Sequence, residues 1–241
     1  MKIRMLGTGG AVPSLRRLSS AYFLSLSRGN MLIDVGPSVV RRLLEFGRFV
    51  NDVDIIVLTH FHPDHAVDLS TFLFTCNFGG EERQRPLFLC GGRAVKRFYN
   101  LSLRLYPSIA PKSYDLTVKT LRRGRHTVGG VSLFTTPMVH REESIAIRVE
   151  EEGKSVVFSG DTDESPALAE LAAGADLLVV ECSFPDRKMQ GHLDLQTLLP
   201  LVAEAKPKQV VLTHLDPEWE LYRAPLPAPL ILGEDGMEIE I

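Results

Sequence analysis

Residues 59–65 read THFHPDH (Thr59–His65), directly after the apolar run IIVL (Ile55–Leu58). Three of the chain's seven histidines and one aspartate fall in residues 60–65. The β-branched run before them reads as a strand buried on both faces. Pro63 stiffens the turn, and Asp64 stands where the next helix is expected to start. His60 and His62, two apart beyond a strand, can aim their imidazoles the same way. Protonated, three imidazoles this close would repel one another. A bound cation removes the conflict, because it favours neutral imidazole and ionised carboxylate. A solvated turn would account for one histidine, but four metal-competent groups at this spacing point to a ligand cluster. Nitrogen and oxygen donors without cysteine suit Zn²⁺, Mn²⁺ or Fe²⁺. So short a segment cannot wrap all four groups around one ion, so two ions, each taking a pair, are expected.

Other apolar runs end in the same kind of residue. SVVFSG (Ser155–Gly160) leads into Asp161, QVVLT (Gln209–Thr213) into His214, and VSLFTTPMV (Val131–Val139) into His140. In layered α/β folds the strand ends present side chains to a shared crevice. His60, His140, Asp161 and His214 are therefore expected to meet, with Asp161 able to bridge two ions. Two metals about 3.5–4 Å apart hold a hydroxide between them and bring its formation near pH 7. A nucleophile is then made without serine or cysteine.

The remaining pattern is that of an α/β sandwich. Strands are predicted at IRML, AYFLSL, MLIDV, PLFLC, a half-buried IAIRVE and DLLVVE. Helical patterns cover Ser38–Phe46, Ala66–Phe78, Ala94–Leu103, Ser165–Ala173 and Leu195–Ala205, with Pro166 in a first turn. No internal repeat is read, and LYRAPLPAPL (Leu221–Leu230) is expected to lie extended on the surface. A length of 241 residues suits one domain, 1–241, with a core that needs no staples. A net charge of −3 gives no global attraction to nucleic acid or to an anionic membrane. Arg122, Arg123 and Arg125 form at most a local basic patch, and His126 beside them reads as a surface loop. Three scattered cysteines, Cys76, Cys90 and Cys182, indicate free thiols in a reducing, cytoplasmic compartment. No signal peptide and no bilayer-spanning stretch is read. GTGGAVPS (Gly7–Ser14) lacks the lysine of a P-loop and reads as a tight turn beside the site.

THFHPDH resembles the HxHxDH signature of the metallo-β-lactamase superfamily, and the likeness runs along most of the chain. GTGGAVPS followed by LIDVG (Leu32–Gly36) resembles its opening, SGDT (Ser159–Thr162) its bridging-aspartate motif, and LTHL (Leu212–Leu215) its last histidine motif. The resemblance implies a four-layer αββα sandwich with a binuclear site at one edge of its two sheets. Carried over residue by residue, it implies His60, His62 and His140 on one ion and Asp64, His65 and His214 on the other. Asp161 would bridge them, and Asp34 would orient a ligand from behind. The order of GDTDES, VVECSF, GHLDL and VVLTHL resembles the ribonuclease Z and phosphodiesterase-like branch. There the counterpart of His192 acts at the scissile phosphate as general acid or charge stabiliser, so Asp64 and His192 are the implied catalytic residues.

The chain departs from that branch in three places. Only about twenty residues separate His140 from Asp161, too few for a long tRNA-gripping arm. DPEW (Asp216–Trp219) follows LTHL, and Leu193 stands where a hydroxyl residue is usual. The expectation is a metal-dependent hydrolase of phosphodiesters, small cyclic nucleotides or RNA ends. It would use two divalent ions, zinc ahead of manganese or iron, with no membrane partner and, by analogy, as a homodimer. Carboxylic esters, lactones and sulfate esters are the alternative substrates, since the same hydroxide attacks them. An iron-binding redox protein and an RNA-binding scaffold with a vestigial site are the readings from other classes.

Overall fold

Short runs of Ile, Val and Leu form fourteen strands in the computed structural model, which describes residues 1–241. The first sheet holds β1 (Lys2–Gly7), β2 (Ala21–Leu26), β3 (Gly29–Ile33), β4 (Ile55–Leu58), β5 (Leu87–Gly91) and β6 (Leu116–Thr120). The second holds β7 (Gly124–Val128), β8 (Val131–Pro137), β9 (Ile145–Glu151), β10 (Lys154–Phe158), β11 (Leu177–Glu181), β12 (Val210–Thr213) and β13 (Leu230–Leu232). A last strand, β14 (Glu238–Glu240), returns to the first sheet beside β1.

The strand orders are β14-β1-β2-β3-β4-β5-β6 and β13-β12-β11-β10-β9-β8-β7. Both sheets follow one scheme. Neighbours are antiparallel as far as β3 in the first sheet and between β7 and β10 in the second, and parallel beyond. Each sheet therefore has a point, at β3/β4 and at β10/β11, where pairing passes from antiparallel to parallel. In open α/β sheets ligands bind in crevices outside the carboxyl ends of the strands.

Four layers need three apolar interfaces, and the side chains supply three. Ile55 and Val57 face the space between the sheets, with Ile147, Val156, Val179 and Val211 opposite. Ile56 and Leu58, pointing the other way, pack under α1 (Val39–Glu45), α3 (Leu69–Phe78) and α4 (Val95–Leu105). Leu178, Val180 and Leu212 pack against α5 (Pro166–Ala172) and α6 (Leu195–Ala205). The three clusters hold 22, 22 and 21 buried residues, so no interface is a satellite of another. Each such Val, Leu or Ile side chain contributes about 1.5–3 kcal/mol on burial. This is the αββα architecture of the metallo-β-lactamase fold.

Local chemistry sets the helix ends. Ser165 accepts Leu168 N–H at 3.3 Å ahead of Pro166, and Asp194 accepts Thr197 N–H at 2.9 Å ahead of α6. Two expectations need correction. The helix expected over Ala66–Phe78 is broken: α2 (Pro63–Ala66) is a single turn, and α3 restarts after Asp68. His62 enters α2 from extended backbone. His126 lies half-buried on the edge strand β7, where Arg122 C=O sits 2.7 Å from its Nε2. The Pro-rich segment lies largely exposed, without helix or strand from residue 222 to 229, as expected; Leu230 then opens β13 and the chain crosses to β14, so both sheets gain an edge from the C-terminal part. No helix is long and apolar enough to cross a membrane.

Candidate metal centre

Every group in the cluster stands at or just beyond a strand's carboxyl end. Asp34 follows β3 and His60 follows β4 after Thr59; His140 follows β8, Asp161 follows β10 and His214 follows β12. His62, Asp64 and His65 are supplied by the turn that opens α2. That turn must press against the backbone after β3: a Cβ on Gly36 would stand 2.1 Å from Asp64 C=O, so only glycine fits there.

The structure gathers three overlapping groups of donor atoms: Glu181, His192 and His214 make up the smallest, and two larger sets share Asp161. His60, His62, His140 and Asp161 form one, and Asp64, His65, Asp161 and His214 the other, with the donor atoms of each set all within 4.8 Å of one another. Asp161 belongs to both. Its Oδ2 lies 3.6 Å from His60 Nε2 and 3.3 Å from His214 Nε2, and its Oδ1 lies 3.3 Å from His65 Nε2. His140 Nε2 and His62 Nδ1 stand 3.1 Å apart. Two ring nitrogens about 2.0–2.1 Å from one zinc come to roughly that separation. His60 Nε2, His65 Nε2 and Asp161 Oδ1 are buried and complete no hydrogen bond. Such atoms are costly unless something binds them. The donor set and its orphaned atoms therefore fit divalent cations.

Two buried carboxylates hold the imidazoles from behind. Asp34 accepts His65 Nδ1–H at 2.8 Å and Thr59 Oγ1–H at 2.8 Å, and Thr59 Oγ1 in turn accepts His60 Nδ1–H at 3.1 Å. With Nδ1 engaged, both rings direct Nε2 into the cavity. Asp34 adopts a left-handed backbone, φ 61°, to make these contacts. On the second sheet Glu181 plays the matching part. It accepts His192 Nδ1–H at 3.1 Å and Ser183 Oγ–H at 2.8 Å, and Ser183 Oγ accepts His214 Nδ1–H at 2.9 Å. His140 Nδ1–H donates to Gly191 C=O at 3.0 Å. Thr59, Glu181, Ser183 and Gly191 are absent from the sequence-based set.

Electrostatics divides the two sets. Burial holds His60, His62 and His140 below the ordinary imidazole value of 6.5, His60 at about 2. These are neutral rings with a free lone pair. Burial also pulls His65 and His214 down, but Asp161 acts on both, with Asp34 at His65 and Asp64 at His214, and raises them above 6.5. Burial pushes Asp161 up, yet His214 and His65 hold its carboxyl well below the usual range. The second set thus carries protons that a cation would displace. At His192 burial lowers the value, and the bond to Glu181 outweighs it, so the ring stays protonated above 6.5.

Other singled-out residues stay outside. His126 and the arginines at 122, 123 and 125 do not join the cluster; Arg123 pairs with Glu170 at 2.9 Å. Cys182 is buried with Sγ 3.6 Å from Phe184 C=O, and burial pushes its thiol up, so it is inert. The Gly7–Gly10 turn does border the site: a Cβ on Gly10 would stand 3.2 Å from the His214 ring.

Known proteins share this fold over the whole chain. A ribonuclease Z from Methanosarcina acetivorans is 25% identical, with 100% of this chain and 98% of the relative covered. The crystal structure of human tRNase Z, short form, superposes with a TM-score of 0.83 at 23% identity, covering 100% of this chain and 99% of that one. The metallo-β-lactamase fold protein YhfI from Bacillus subtilis superposes at 0.81 with 20% identity, covering 99% and 98%. Residues 1–225 match the family described as anti-Pycsar protein Apyc1. With that match over nearly its full length, and with the fold and donor clusters above, the chain belongs to the anti-Pycsar protein Apyc1 family.

Proposed function

We propose that this chain is a phosphodiesterase that works with two divalent ions, zinc first among them. The observation that carries the reading is Asp161, buried and common to both donor sets. His60, His62 and His140 would hold one ion, Asp64, His65 and His214 the other, and Asp161 both. Bound as a pair, such ions supply a water acidified to near neutral pH and positive charge for the phosphoryl oxygens.

The chain's own groups do the rest. Asp34, with Thr59, fixes which nitrogen of His60 and of His65 faces the cavity. Asp64 has a side chain 12% exposed against 2% for Asp161. It is the carboxylate nearer the mouth and takes the proton that the attacking water gives up. His192 keeps its Nδ1–H on Glu181, so Nε2 is the nitrogen free to donate a proton to the leaving oxygen.

The likeness to a ribonuclease Z favours phosphodiesters over other esters. The connection from β9 to β10 favours small ones. It passes from Glu151 to Lys154 in a tight turn and offers no arm to grip a folded RNA. Small cyclic nucleotides are therefore placed ahead of RNA ends. The test is a panel of bis-p-nitrophenyl phosphate, cyclic nucleotide monophosphates, precursor tRNA and carboxylic esters, each with Zn²⁺ or Mn²⁺ and with chelator. Cleavage of the phosphodiesters, abolished by chelator, is expected. Hydrolysis of carboxylic esters alone would overturn the reading.

A further inference from the structure

Between β11 and α6 the chain makes a loop whose neck is closed by pairing of Phe184 with Asp194. Loops of this length with adjoining ends are compact surface units, frequently functional. This one carries Gly191, whose C=O orients His140, and His192. Its tip, Asp186–Gln190, is exposed and buries no apolar side chain; even Met189 is 39% exposed. Few buried apolar contacts place a segment at the low end of local stability. Buried Pro185 and Leu193 anchor the two ends of the loop, so polar contacts must hold the tip between them.

Two of those contacts lead to one residue, Asp163. Asp163 Oδ1 pairs with Lys188 Nζ, and Asp163 Oδ2 accepts Gly191 N–H at 3.0 Å. Lys188 Nζ also donates to His192 C=O at 3.1 Å. Asp163 is itself fixed: its N–H donates to Val139 C=O at 2.8 Å, next to His140, and Thr162 N–H donates to Glu181 at 2.7 Å. Gly191 has φ +84°, and a Cβ there would stand 3.0 Å from His140 Nδ1, so the loop must come down close at this point. His192 is also held through Nδ1 to Glu181, and Gly191 C=O accepts from His140; at the tip, Arg187 lies over the Phe184 ring and pairs with Glu218 at 2.8 Å between half-exposed side chains, a pair worth little.

We propose that Asp163 is a positioning residue, a clasp that pins the 185–193 loop through Lys188 and Gly191 and so holds His192 over the cavity. Lifting the loop takes His192 away from the reacting centre and removes the Gly191 C=O from behind His140, while every donor atom of the two sets stays on its own element outside the loop. The inference rests on the proposed role of His192, but the clasp can be read without it. It goes beyond a packing role, because Asp163 touches no reacting group and acts on the reaction through the loop that carries His192.

The test uses Asp163→Ala and Asp163→Asn in the metal-loaded full chain. Asn keeps an acceptor for Gly191 N–H but loses the charge that pairs with Lys188. Trypsin cuts after Arg187 and Lys188, both in the exposed tip. Cleavage there is expected to speed up about tenfold or more in the Ala variant and less in the Asn variant, with metal content unchanged. Unchanged cleavage, or loss of metal in step, overturns the clasp. In turnover of bis-p-nitrophenyl phosphate, Asp163→Ala should lower kcat and leave KM within about twofold. Added to His192→Ala, it should lower kcat no further. An equal further loss in the double variant would show a merely structural role and overturn the positioning claim. If the wild type cleaves no phosphodiester, the functional reading fails, while the cleavage arm still decides the clasp.

Discussion

Glu181 accepts the Nδ1–H of His192 at 3.1 Å while sitting at the buried end of a central strand, 1% exposed. A carboxylate in that position holds the ring in one tautomer and favours its protonated form. Through Ser183 it also steadies His214, so one side chain serves both the proton donor and a candidate ligand.

Glu181→Gln should therefore lower kcat by about 10²-fold, the lower end of what a general acid supplies. The pH profile should move as well. A general acid fails as pH rises through its pKa, and Glu181 raises that pKa at His192. Its removal should shift the alkaline loss of kcat to lower pH. A profile that stays in place while kcat falls would assign Glu181 a packing role.

Metal content should separate His62 from Asp34. His62→Ala removes a donor and should strip metal and nearly all turnover, as read by metal-to-protein ratio after gel filtration. Asp34→Asn keeps a side chain that tolerates the left-handed backbone, φ 61°, yet loses the charge behind His65. It should weaken metal affinity by about 10–100-fold without abolishing it. Competition with a chelator of known affinity measures the difference.

The ion-free protein should show a stability maximum near pH 6.5 as far as this cluster is concerned. Below 6.5 an unfolded chain takes up a proton at His60 that the folded chain refuses until about pH 2. Stability from that group falls with pH at about 1.4 kcal/mol per unit. His65 and His214 have raised values in the folded state, so their contribution is present below 6.5 and is lost as pH rises through those values. Bound cations replace those protons and should flatten the alkaline side. Urea midpoints from about pH 5 to 9, with chelator and with Zn²⁺, would show both limbs.

Arg83 offers a test of the scaffold away from the chemistry. It is 1% exposed, and its guanidinium donates to the C=O groups of Val50, Arg85 and Pro86 at 3.0, 2.8 and 2.8 Å. Arg83→Met removes all three donors. Only the bond to Val50 C=O is fully buried, since Arg85 and Pro86 are exposed residues; at about 1–3 kcal/mol for a buried group left unpaired, a loss in that range is expected in urea unfolding. Metal stoichiometry should stay the same.

The sequence by itself determined the donor types, their grouping and the layers of the fold. The reasons are local: seven residues of THFHPDH lie within one turn, and β-branched runs of four to six residues can only be strands at that length. Asp161, His140 and His214 were legible because each ends such a run. Tertiary structure decided what depends on pairing between distant segments. Glu181 closes its run as an ordinary strand terminus, and its partner His192 is 11 residues away with no periodic relation to it. Only the parallel pairing of β11 with β12 brings Ser183 beneath His214 and gives that glutamate its work. The short β13 and β14 have weak local signals and become strands because the edges of both sheets offer unpaired backbone groups to them. Asp161 is shared between two donor sets for a similar reason. Its own sequence neighbourhood says that it follows a strand, but the meeting of two sheets at their carboxyl ends decides how many imidazoles surround it.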